Sequence, residues 1–156
     1  MRRFVSVALA SLLLGSTPAL ADAIGEALVA WSIGDFTTAF RLLRPLAEQG
    51  NAEAQYQLGF MYSKGQGVSE NLGLAVSWYL KAAEQGHAEA QYTLGQMYHF
   101  GEGVGQDYVR AFLWLSLAAV SMNAQAELEN LVGQMTPGQI AEAQRLVAEG
   151  KSKLIQ

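Results

Sequence analysis

Gly50-Asn-Ala-Glu-Ala-Gln-Tyr-Gln-Leu-Gly59 returns further along the chain as Gly86-His-Ala-Glu-Ala-Gln-Tyr-Thr-Leu-Gly95. The match extends outward from there. Met61-Tyr62 pairs with Met97-Tyr98, Gly65-x-Gly67-Val68 with Gly101-x-Gly103-Val104, and Ala75-x-x-Trp78 with Ala111-x-x-Trp114. Between residues 50–85 and 86–121, 17 of 36 aligned positions are identical. A period of this length denotes stacked supersecondary units, each needing its neighbours to bury an apolar face. The repeat therefore decides the fold class and moves the functional expectation from catalysis towards binding.

Within each period the spacing is helical. Ala54, Leu58, Met61 and Tyr62 share one face, and Ala75, Trp78, Tyr79 and Ala82 repeat the stripe. Asn71 and Asp107 stand where an N-cap belongs, and Gly50 and Gly86 stand where a helix would end. Each unit reads as two antiparallel helices joined by a glycine-containing loop. Gly59 and Gly95 fall mid-helix, at a cost of about 1 kcal/mol each relative to alanine. Close approach of the paired helix explains them, with Trp78 and Trp114 filling the space between hairpins.

These residues carry a family resemblance. The pattern A-x-x-x-L-G-x-x-Y-x-x-G-x-G-V…A-x-x-W-Y/L-x-x-A-A is similar to the Sel-1-like repeat, a longer-looped relative of the tetratricopeptide repeat. Residues 52–86 fit it almost fully. In the second copy, 88–121, Leu115 replaces the usual tyrosine and Val120-Ser121-Met122 replaces the E-x-G ending. The implied fold is all-α: a short right-handed α-solenoid of antiparallel helical hairpins with a C-terminal capping helix.

The remaining segments take their places around the two clear copies. Arg2-Arg3, an apolar run from Phe4 to Gly15 and Ala19-Leu-Ala21 read as a cleaved secretory signal of bacterial type over 1–21, with cleavage after Ala23 as the alternative. Twelve apolar residues fall short of the ~20 that span a bilayer. Residues 22–50 form a degenerate tetratricopeptide-like hairpin, with Asp35 capping its second helix and Pro45 bending that helix by freeing the Arg41 carbonyl. Repeats occupy 51–86 and 87–122. A degenerate unit fills 123–150, its last helix opened by Thr136-Pro137-Gly138-Gln139 as a capping box with proline at N1. Residues 151–156 form a frayed tail.

Composition narrows the function. Without Arg2 and Arg3 the chain carries 8 basic (10 less those two) against 14 acidic side chains, a net charge of −6. An acidic domain argues against nucleic acid and anionic membrane surfaces as partners. The chain has no cysteine, so export to the periplasm brings no disulfide and packing alone holds the fold.

Material for catalysis is sparse. His87 takes the inter-repeat position of Asn51 and Asn123, which suits a turn or cap. His99, near Glu102 at the end of a first helix, has no second ligand at i+3 or i+4. The paired Gly-x-Gly loops lack the lysine and hydroxyl of a phosphate loop and recur at the repeat period. Glu53 and Glu89 sit at equivalent positions of successive repeats, at the ~10 Å separation of neighbouring packed helices. Ser63 precedes Lys64 directly, the wrong spacing for an S-x-x-K nucleophile. No catalytic residue, metal or cofactor is expected.

If the family's register transfers, the first helices line a concave face with Glu53, Tyr56, Phe60 and Ser63, then Glu89, Tyr92, Gln96 and His99, and Trp31 at one edge. Aromatic residues with a few carboxylates suit a peptide or basic protein segment. The expectation is a secreted, periplasmic, monomeric, non-enzymatic protein-interaction module. Two alternatives stand beside it. One is β-lactam binding or weak hydrolysis, as described for cysteine-rich relatives whose cysteines this chain lacks; the other is a structural part of an envelope assembly.

Overall fold

The computed structural model describes residues 18–122 and 124–149. The bulk of the expected signal segment, Asn123 and the tail lie outside the described residues. Eight helices follow one another: α1 (Pro18–Ser32), α2 (Phe36–Glu48), α3 (Ala52–Lys64), α4 (Leu72–Glu84), α5 (Ala88–Phe100), α6 (Tyr108–Met122), α7 (Gln125–Val132) and α8 (Pro137–Ala148). No strand occurs among the described residues. α1 begins earlier than expected, so Ala19-Leu-Ala21 falls in its first turns; a chain starting at Asp22 keeps residues 22–32 of the helix.

Local chemistry sets the boundaries. The side chains of Asp35, Asn51 and Asn71 accept the backbone N–H three residues on, from Thr38, Ala54 and Leu74. Asp107 does the same for Arg110 at the start of α6. The loops after α3 and α5 turn through Gly65 and Gly67, then Gly101 and Gly103, at φ 64°, 70°, 74° and 72°. Glycine is the residue that occupies that region at little steric cost, so the Gly-x-Gly pairs are turns. Thr136 and Gln139 form the complete reciprocal capping box, with Pro137 in the first turn of α8. Pro45 lies within a continuous α2.

Each first helix packs on the second helix of its own hairpin and on that of the preceding unit: α3 on α4 and α2, α5 on α6 and α4. The last unit breaks this rule. α7 rests on α6, and α8 also packs on α6 rather than pairing closely with α7. The core is divided in two. Ala27, Ala30, Ala39, Leu43, Leu46, Ala47, Ala54, Leu58 and Met61 form an N-terminal cluster; a larger one runs from Ala75 to Ala143. The two repeat tryptophans differ accordingly. Trp114 is buried in the larger cluster, whereas Trp78 is half-buried against the smaller one under the Lys81 ammonium, 4.1 Å from the ring centroid.

Candidate functional site: the groove between α3 and α5

The motif Ala-Glu-Ala-Gln-Tyr sets the geometry of the first helices. Its second alanine, Ala54 or Ala90, is completely buried, and its first, Ala52 or Ala88, is half-buried. Its glutamine is also buried: Gln55 Nε2 donates to the Ala47 carbonyl at 3.0 Å, and Gln91 Nε2 to the Ala83 carbonyl at 3.1 Å. Each glutamine thus ties a first helix to the last turn of the preceding second helix. The glutamate of the motif is left exposed and its tyrosine half-buried, Tyr56 lining the groove.

A cavity of about 240 Å³ lies between α3 and α5, lined by Tyr56, Phe60, Leu72, Tyr79 and Met97, with Ser63, Lys64, Thr93, Gln96 and Glu102 supplying polar groups. Four residues expected on the first-helix face, Tyr56, Phe60, Ser63 and Gln96, meet here. Trp31 stands at one edge, 5.5 Å from Phe60 and edge-to-face with Phe36 at 5.5 Å. Ser63 donates to the Phe60 carbonyl and lies 3.5 Å from the Tyr79 hydroxyl. Burial pushes that phenol up to about 12, against the small opposing effect of the Ser63 contact. Near neutral pH it is therefore a neutral hydrogen-bonding group.

The neighbouring residues are tied to one another. His87 caps α5 by accepting from Ala90 N–H at 3.3 Å, which puts the ring proton on Nε2, 3.1 Å from Glu53 Oε2. Glu89 Oε2 lies 3.4 Å from His87 Nδ1, and the ring stacks on Tyr56 with centroids 4.7 Å apart. The cap role read from sequence is met, and a hydrogen bond from His87 Nε2 to Glu53 is added. Partial burial works to raise the Glu53 carboxyl, but hydrogen bonds from Gln57 and His87, with the His87 charge, outweigh it and hold the group below its usual range. Burial and the nearby Glu89 and Glu53 charges raise the Tyr56 phenol.

The C-terminal half of the expected face is partly closed. The Tyr92 hydroxyl donates to Glu127 Oε1 at 2.9 Å and accepts from Gln96 Nε2 at 3.0 Å. His99 is only 8% exposed, stacked under Phe100 at 4.4 Å and 3.3 Å from Gln134 Oε1. The expectation that His99 lines an open face is corrected. α7 and the turn after it occupy the place of a third repeat and bring Gln134 over the ring. Sequence reasoning missed Leu72, Thr93 and Lys64 as groove residues. Thr93 had a readable signal, since it replaces Gln57 at the same repeat position; Leu72 is brought in only by packing.

Among the described residues there is no cluster of three or more His, Asp or Glu side chains arranged to hold a metal ion, and no helix long and apolar enough to cross a membrane.

The model of the Sel1 repeat matches residues 31–51, 52–87 and 88–119, more than half of the chain. The chain belongs to the Sel1 repeat family. Proteins built of Sel1 repeats generally serve as protein–protein interaction modules, typically as non-enzymatic scaffolds. The first Sel1 match starts at Trp31 and so takes in the second helix of its hairpin but little of α1. Two solved structures share the Sel1 solenoid. A protective antigen present in uropathogenic Escherichia coli strains, displaying an SLR fold, aligns with TM-score 0.76 and 28% identity over 81% of this chain and 28% of that one. A Sel1 repeat protein from Oxalobacter formigenes aligns with TM-score 0.62 and 34% identity over 72% of this chain and 51% of that one. The chain thus spans about a quarter to a half of the length of these relatives. Comparison with curated proteins gave no match.

Proposed function

We propose that the chain is an exported, periplasmic, non-enzymatic adaptor that docks a segment of a partner protein in the α3–α5 groove. The observation that carries this reading is the composition of the groove: an apolar floor of Tyr56, Phe60, Leu72, Tyr79 and Met97 with hydrogen-bonding groups around it. Such a surface buries an apolar side chain of a peptide while its backbone finds partners at the rim. Phe60 is the principal anchor, since Trp31 supports it from behind. Tyr56 is held in place by its stack on His87, and Glu53 and Glu89 orient basic groups of the partner. Tyr92, tied to Glu127 and Gln96, shapes the groove wall.

A photo-crosslinking side chain at Gln96, in the groove, or at Ser77, exposed on α4, tests the site in cells. An adduct from position 96 that disappears in Phe60→Glu is expected. Adducts from position 77 alone would move the interface off the groove. Export is tested by the N-terminal mass of protein released from the periplasm, expected to begin at Asp22; full-length chain confined to the cytoplasm would remove that part of the reading.

A further inference from the structure

The two helix layers carry charge of opposite sign. The first helices, α1, α3, α5 and α7, hold six carboxylates, Asp22, Glu26, Glu53, Glu89, Glu127 and Glu129, and one basic side chain, Lys64. The second helices, α2, α4, α6 and α8, hold five lysines and arginines against three glutamates.

The carboxylates of the two layers are also held differently. On and beside the second helices arginines offset them: Arg44 meets Glu48 at 2.9 Å, Arg110 meets Asp107 at 3.5 Å, and Arg145 meets Glu142 at 2.7 Å and Glu149 at 2.8 Å. On the first helices the donors are neutral. Gln57 and the Nε2–H of His87 donate to Glu53, Tyr92 to Glu127, and Gln125 to Glu129. A neutral donor orients a carboxylate and leaves its charge in place.

One pair of these carboxylates stands at an end of the α3–α5 groove. Glu53 lies 3.1 Å from Nε2 of His87 and Glu89 3.4 Å from Nδ1, so two negative charges flank a single imidazole ring. In the tautomer that caps α5, Nδ1 has no proton to give Glu89. The two side chains are 47% and 55% exposed and so within reach of a partner. Like charges held this close favour a cation beside them. Phe60, on the apolar floor, lies ~10 Å from Glu53 along α3 by the helical rise. At the far end Lys64 and Glu102 both line the cavity, so that end carries both signs.

We infer that the segment docked in the groove is cationic on one side: a lysine or arginine set against Glu53 and Glu89, about three residues of extended chain from an apolar side chain resting on Phe60. The inference deepens the docking reading above and rests on it. An acidic segment would meet the same two charges with repulsion.

Random dodecapeptides displayed on phage, selected on the chain as recovered from its producing cells and counter-selected on Phe60→Glu, provide the test. The enriched peptides should pair a lysine or arginine with an apolar residue about three positions away. Changing that basic residue to glutamine should weaken a synthetic copy about fivefold, and the double variant Glu53→Gln/Glu89→Gln should lose the same factor. The two losses should not add, and added salt should erase both. Glu26→Gln, beside the α1–α2 cleft, should leave the affinity as it was. Enriched peptides that need Phe60 but carry no basic residue, or that bind the double variant as well as wild type, overturn the inference and leave the docking reading standing. Peptides that bind Phe60→Glu equally, or a library with no enrichment, overturn both. Should Phe60→Glu melt early, Gln96→Lys, which sets a cation in the groove, serves as the counter-selection in its place.

Discussion

A Cβ added to Gly59 would lie 2.6 Å from Cδ1 of Tyr79, and one added to Gly95 would lie 2.5 Å from Cγ of Leu115. The two glycines therefore do the same work although Leu115 has replaced the tyrosine, because in each hairpin the side chain of the paired helix lies where the methyl would go. Gly59→Ala should cost about 1–3 kcal/mol in denaturant unfolding, despite alanine's better helix propensity, since Tyr79 is fully packed. An unchanged or raised midpoint would show that Tyr79 moves aside freely. Glu53 supports a pH prediction. Its carboxyl is held below the usual range in the folded state, so its stabilising contribution is present above the ordinary carboxylate pKa and is lost as pH falls through the lowered value. The stability difference between wild type and Glu53→Gln should therefore be largest near neutral pH and shrink as pH falls through the lowered carboxyl value. A difference that grows on acidification would contradict the hydrogen bonds from Gln57 and His87.

At the level of elements, the signals that end helices were plain in the sequence because they act over three or four residues. Asp35, Asn71, Asp107 and Thr136 were all legible as caps, and the structure makes each hydrogen bond. Thr136→Ala should remove the hydroxyl half of the capping box, leaving the backbone N–H of residue 136 on Gln139, and cost about 1 kcal/mol, with faster hydrogen exchange confined to the first turn of α8. Spread of that effect into α6 would mean that α8 docks as one unit with it. Gln55 and Gln91 were not legible, since a glutamine in an amphipathic stripe reads as surface. Only the packed structure brings each amide to a carbonyl in the preceding helix. Gln91→Ala should cost about 1–3 kcal/mol by thermal or chemical unfolding, for it removes the side-chain donor to the Ala83 carbonyl and leaves a void.

For the molecule as a whole, the main helix contacts among the described residues run within units and between neighbouring ones, and the core falls into two clusters that meet at α3 and α4. Stability in such a stack is a sum over units and their interfaces. Leu43→Ala, at a site 1% exposed in the smaller cluster, should cost about 2–5 kcal/mol. Hydrogen exchange should then show α1–α3 opening while α5 and α6 stay protected. Uniform loss of protection would show that the stack unfolds as one cooperative block. The divided core also accounts for the unequal repeat tryptophans: Trp78 is half-buried against the smaller cluster with Lys81 over its ring, while Trp114 lies within the larger cluster.

The sequence by itself determined the all-helical repeat architecture, the hairpin boundaries, the turns at the Gly-x-Gly pairs and the gathering of Tyr56, Phe60, Ser63 and Gln96 on one face. The first three follow from periodicity and from hydrogen bonds between residues a few positions apart, the last from the register of the family the chain resembles. Tertiary structure alone decided which of the face residues remain open. Glu53 with His87, Tyr92 with Glu127 and His99 with Gln134 are joined across 34 or 35 residues. Such pairs depend on how successive units settle against one another, the degenerate last one included, and no short-range pattern encodes that.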